Sequence, residues 1–151
     1  MIGTVLNRTR GTVTARDFQR WAAAVNDLNP LYFDPDHARA NGHPDVLAPP
    51  LYVQYAPLGV PTLDQLRPDG TPDRPALPLD GYPRRMAGGQ DAVFHHPVHD
   101  GTAITATTTL TAITPKTGRS GPFLLVTTHT TYTTDDDTLV AEITDTLIAL
   151  P

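Results

Sequence analysis

The sequence predicts an α+β fold, and three observations carry that prediction. An amphipathic helical pattern lies near the N-terminus. Four long runs of β-branched and apolar residues fill the C-terminal half, and short polar turns join them. Consecutive strands on short connections imply an antiparallel meander, with helix packed against one sheet face. At 151 residues the chain makes one domain, residues 1–151, large enough for a core without disulfide staples.

Residues 4–13 alternate loosely and read as a first strand. Thr14 is an N-cap, with Asp17 three residues on as its acidic partner. Phe18, Trp21, Ala22 and Val25 then fall on one face of a helix over about 15–25. Asn26-Asp27 ends it, and Asn29 precedes Pro30, where the α conformation is disfavoured. Asp34-Pro35 opens a short helix to about Ala40, closed by Asn41-Gly42. Pro49-Pro50 opens another, Leu51 to about Pro57, with Leu51, Tyr52, Tyr55 and Leu58 as its apolar members. A Pro-rich insertion loop at about 59–83 follows, with one helical turn around Leu63 to Leu66; it reads either as a cover folded over the pocket or as a mobile surface loop. The strand runs are 85–97, 102–114, 123–134 and 138–149. Ile104, Ala106 and Leu110 share one face of the second, and Leu139, Ala141, Ile143 and Leu147 one face of the last.

Composition removes several functions. The absence of cysteine excludes disulfides and thiolate chemistry and fits a cytoplasmic protein. A net charge of −5 argues against an electrostatic nucleic-acid binder. No apolar run is long enough to span a bilayer, and the N-terminus lacks a signal pattern, so no membrane role is expected. His95-His96 with His99 invites a metal reading. Neighbouring strand residues face opposite sides, however, so no metal site is expected.

The loop Asn26-Asp27-Leu28-Asn29-Pro30-Leu31-Tyr32-Phe33-Asp34, with Ala38 beyond, resembles the signature of MaoC-like hydratases and dehydratases. Ala48-Pro49-Pro50, Arg84-Arg85-Met86-Ala87-Gly88-Gly89 and Ser120-Gly121-Pro122 extend the likeness over nearly the whole chain. Together they are similar to the N-terminal dehydratase domain of mesaconyl-CoA and itaconyl-CoA hydratase-like proteins. They also resemble the non-catalytic subunit of heterodimeric 3-hydroxyacyl-carrier-protein dehydratases. The resemblance implies a hotdog fold, an antiparallel sheet wrapped around a central helix, and a homodimer or a heterodimer with a MaoC-like subunit. It implies syn addition or elimination of water at a 2-enoyl or 3-hydroxyacyl thioester carried on coenzyme A or phosphopantetheine, with no other cofactor.

Such chemistry needs an acid/base pair, an oxyanion donor and exclusion of water. In the family an Asp and a His on this loop share a catalytic water, and a backbone N–H at the start of the central helix holds the thioester oxygen. Asp27 matches the acid/base position and Asn29 the asparagine that holds the loop. Tyr32 stands where the histidine is expected. A phenol titrates near about 10 and is a poor base at neutral pH, although it donates a hydrogen bond. Pro49-Pro50 replaces a His-Gly-Met-like stretch, and proline has no N–H to offer. The resemblance assigns catalysis to Asp27, Tyr32 and Asn29, and substrate binding to Pro50, Leu51, Tyr52, Arg84, Arg85 and Gly88. Arg84 and Arg85 suit the carrier's phosphates, a solvated surface pair being the alternative. His43 is a further stand-in for the missing histidine. The expected role is the substrate-binding half of a hydratase or dehydratase. A self-sufficient homodimer using Asp27 and a non-catalytic acyl-binding scaffold are the alternatives.

Overall fold

A computed structural model describes residues 1–72 and 77–151. The elements are β1 (Val5–Thr12), α1 (Ala15–Ala24), α2 (Pro35–Ala40), β2 (Arg84–Phe94), β3 (Ala103–Gly118), β4 (Gly121–Thr133) and β5 (Leu139–Leu150). Short 3-10 turns sit at Pro30–Tyr32, Pro50–Gln54, Ala56–Leu58 and Leu63–Gln65. The five strands form one antiparallel sheet in the order β1-β3-β4-β5-β2.

The expected meander holds for β3, β4 and β5 but not for β2, which pairs with β5 and not with β3. After Phe94 the chain crosses the end of the sheet before β3 begins. Backbone bonds pin that crossing: His95 N–H to Val140 O (2.9 Å), Ala48 N–H to Val98 O (2.8 Å), and Gly101 N–H to Val13 O (2.9 Å). Buried Val98 anchors it. Asp100-Gly101 is therefore a corner where the chain enters β3, not a hairpin turn.

Helix α1 starts as its sequence dictates. Thr14 Oγ1 accepts from Asp17 N–H (3.4 Å) and donates to Asp17 Oδ2 (2.7 Å). Phe18 and Ala22 are fully buried, Trp21 packs against them in part, and Val25 is exposed beyond the last turn. Asn26 adopts the left-handed conformation (φ 58°), its N–H bonding Ala23 O (3.1 Å) while Asp27 N–H bonds Ala22 O (2.9 Å). That pair of bonds is a Schellman closure, and it fixes the backbone of Asp27.

The segment after Pro49-Pro50 departs from expectation. It forms two 3-10 turns broken at Tyr55, not one helix, so that among the described residues this segment lays no continuous helix across the concave face of the sheet. Pro50 opens the segment, where its missing N–H costs nothing, but Pro57 withholds the N–H that would bond Val53 O and so stops an α-helical ladder from running through. Of the four apolar positions expected to face the core Tyr52 is buried, while Leu51, Tyr55 and Leu58 are exposed; Val53 is buried in their place. The turns reach the sheet through β1. Gly11 lies so close to them that a Cβ there would sit 1.9 Å from Ala56 O.

The register defines rows across the concave face. Ala106, Tyr132, Ala141 and Phe94 form one row, and Thr108, Thr130, Ile143 and Ala92 the next. These lie toward α1 and the 3-10 turns, with Ile104, Ala106, Tyr132, Ala141 and Ile143 in the core beside Phe18 and Tyr52. Leu110, Thr128, Asp145 and Gln90 form a third row, and beyond a bulge come Ile113, Val126, Leu147 and Ala87. Ile104, Ala106 and Leu110 are buried as expected.

Candidate functional site

The loop from Asn26 to Asp34 is built by local hydrogen bonds. Asn29 Oδ1 accepts from Leu31 N–H (3.1 Å) and caps the 3-10 turn that Pro30 opens. Gln19 Nε2 on α1 donates to Tyr32 O (2.9 Å), and Leu47 N–H donates to Leu31 O (3.2 Å). The loop is thus held against both α1 and the chain before Pro49.

Asp27, Asn29 and Tyr32 come together. Burial pushes the Tyr32 phenol above its ordinary pKa, the charge on Asp27 adds to that, and a hydrogen bond from the Asn29 side chain opposes them. Tyr32 is therefore a neutral hydrogen-bond donor at any physiological pH and not a base. Asp27 is exposed at the mouth of this loop, while Tyr32 is buried behind it.

At Pro49-Pro50, Tyr52 N–H is consumed by Pro49 O (2.8 Å). Leu51 N–H has no partner within its turn, because 3-10 bonds reach back three residues. Of the two donors expected here, Leu51 remains. A cavity of about 280 Å³ opens at Pro49-Pro50, walled by these two residues with Val53, Phe94, Pro97 and Ala141; Leu51 follows in the chain but does not line it. Asp27 and Tyr32 do not line this cavity. Tyr32 adjoins it through the core it shares with Leu47, Ala48 and Tyr52, whereas exposed Asp27 lies outside that core.

Other expected site residues lie apart. Arg84 is ten positions along β2 from Phe94, roughly 33 Å at strand rise. Arg85 Nη2 donates to Leu77 O (3.0 Å) and so ties the insertion loop to the sheet. Gly88 sits at a bulge in the β2–β5 pairing, where a Cβ would meet Thr146 Cγ2 at 3.0 Å. These three are not brought to Asp27 within one chain. The insertion loop reaches the sheet through Leu77, toward the Arg85 end, not over the Pro49-Pro50 cavity; part of it lies outside the described residues.

The histidines are occupied separately. His43 packs on His99 (ring centroids 5.8 Å apart), and His99 Nδ1 lies 3.2 Å from Val46 O. His95 and His129 flank Glu142, at 2.9 and 3.2 Å from its carboxylate oxygens. Among the described residues no group of three His, Cys, Asp or Glu is arranged to hold a metal ion. No helix among them is long and apolar enough to cross a membrane.

The family model for the FAS1-like dehydratase domain region matches residues 1–143. The chain belongs to that family. A UPF0336 protein of Streptomyces coelicolor is 38% identical over 95 residues, which are 63% of this chain and 58% of that protein's length. The ChsH1–ChsH2 complex of Mycobacterium tuberculosis contains a chain that superposes with a TM-score of 0.79 at 23% identity, covering 97% of this chain and 84% of that one. The C-terminally truncated HadBC complex of the same organism, a 3R-hydroxyacyl-ACP dehydratase, contains a chain with a TM-score of 0.68 at 24% identity, covering 97% and 96%. The fold of this FAS1-like dehydratase region is the hotdog, here with two 3-10 turns where a central helix was expected.

Sequence reading missed two features. The contact of Gly11 with Ala56 O pairs residues far apart in the chain, and no local pattern reports such an approach. The polar row Gln90-Asp145-Thr128 was invisible because β2 was placed beside the wrong strand.

Proposed function

We propose that this chain is the substrate-binding half of an acyl-thioester hydratase or dehydratase, paired with a MaoC-like hotdog subunit that carries a complete Asp and His. One observation carries the reading: the loop keeps Asp27, Asn29 and Tyr32 in hydrogen-bonding and electrostatic contact, yet Tyr32 is a neutral donor where a base is required. Addition of water places its oxygen on C3 of the enoyl thioester and a proton on C2. This chain's part is to bind and orient the thioester, with Leu51 N–H and the cavity at Pro49-Pro50 against it. The partner supplies the base.

The exposed edge favours that pairing. Every residue of β2 but Arg85 is exposed, including Met86, Val93 and Phe94, and an unpaired apolar edge strand is a template for another strand. An antiparallel partner strand would place the Arg84-Arg85 end of this chain beside the far end of the partner's strand. The two arginines would then serve a phosphate-bearing carrier in the partner's site, which gives a reason for their distance from Asp27.

The test is hydration of an enoyl-CoA by the purified chain, alone and with a co-expressed partner subunit. Turnover is expected only with the partner, and Asp27→Asn is expected to leave that turnover within a few-fold of wild type. Turnover by the chain alone, lost at least about a hundredfold in Asp27→Asn, would instead establish the self-sufficient homodimer.

A further inference from the structure

The concave face carries a second recess outside the loop already described. It is a groove of about 670 Å³ over the third and fourth rows of the sheet, a volume in the range of small-molecule sites. Its walls are apolar: Leu6 from β1, Leu77 from the insertion, and Val126 and Leu147 from the sheet. Its floor is not. Gln90, Thr128 and Asp145 stand side by side across three strands.

Asp145 is the anomaly. A half-buried carboxylate accepts about four hydrogen bonds, but among the described residues its carboxylate takes one, from Gln90 Nε2 at 2.8 Å. The same Nε2 lies 3.3 Å from Gln54 Oε1, which holds the amide in place. Gln54 is the last residue of the 3-10 turn that begins at Pro50. The groove therefore joins that turn at one end. Phe94 of the Pro50 cavity and Gln90 of the groove are four residues apart on β2, roughly 13 Å along the same face.

An apolar tail laid over Asp145 strips water from the carboxylate and returns nothing. A tail with a hydroxyl at that depth replaces the lost bond, and a neutral hydroxyl is cheaper to bring into apolar walls than an ammonium. We propose that the groove holds the distal part of the acyl group and that Asp145, oriented by Gln90, selects tails bearing a hydroxyl over the third row. This rests on the reading of the chain as a thioester binder.

The test is calorimetric binding of saturated acyl-CoA and ω-hydroxyacyl-CoA, matched across medium chain lengths, to the chain in complex with its partner. At one length the hydroxylated ester is expected to bind at least about tenfold tighter, and Asp145→Leu is expected to abolish that preference by tightening the plain ester. If Asp145→Leu does not fold, Asp145→Asn should shrink the preference while leaving the plain ester's affinity within a few-fold. Equal affinities for the two esters at every length, or a preference unchanged in both variants, overturns the selection by Asp145 while leaving the thioester reading standing. Failure of both esters to bind overturns the thioester reading and the selection with it.

Discussion

The two ends of the concave face are made from the same strands but solve different problems. At one end Phe18, Tyr52 and Ile104 pack over the rows of Ala106 and Thr108, and the cavity of about 280 Å³ at Pro49-Pro50 opens at the margin, beside Phe94 and Ala141. At the other, Val126 and Leu147 face an open groove with a carboxylate in its floor. The difference follows from the broken helix. Pro57 and Gly59 in the left-handed region (φ 67°) stop the covering segment halfway, so only half the sheet is roofed. The closed end is where stability resides, and the open end is left for something else to fill.

That contrast can be broken most severely at Gly11. Valine there would drive a side chain into the Ala56 carbonyl and lift the 3-10 turns off β1. A loss of about 3 kcal/mol is expected, seen as a fall of roughly 10 °C in Tm. Truncation at the two ends should differ next. Phe18→Ala, beneath the roof and edge-on to Tyr52 (6.1 Å), should cost about 3–4 kcal/mol, whereas Leu147→Ala in the groove should cost about 1 kcal/mol. Denaturant unfolding of both variants checks this, and equal losses would mean the groove is closed in solution.

The smallest effect is expected at the boundary. Burial, and behind it the charge of Asp145, pushes the Tyr132 phenol up to about 12. A raised folded-state pKa favours the folded form while the phenol is protonated. This contribution is complete below the unfolded value of about 10 and is lost as pH climbs toward 12. Tm should therefore fall over that window, less steeply in Tyr132→Phe. Part of the fall should persist in the variant, because Tyr32 and Tyr52 are shifted the same way.

What was legible follows the range of the interactions. Thr14, Asn26 and Asp34 act within a few residues, and each ends or starts its helix where the sequence indicates. The strand runs were legible because β-branched residues and alternation mark them locally. The pairing of β2 was not, since Asp100-Gly101 carries the chemistry of a hairpin turn and only long-range bonds, such as Ala48 to Val98, turn it into a corner. The candidate loop was legible in spacing. That Tyr32 is buried behind an exposed Asp27 is set by Gln19 and Leu47, both outside the motif.

The bare edge of β2 has a thermodynamic consequence. Among the described residues this eleven-residue strand pairs on one side, and its outer hydrogen-bonding side exists as an edge only in the folded chain. A partner that added a strand there would draw molecules out of the unfolded population by mass action, and the resistance to unfolding would grow with the logarithm of that partner's concentration. Melting temperature would then be less a constant of this polypeptide than a gauge of how much partner surrounds it.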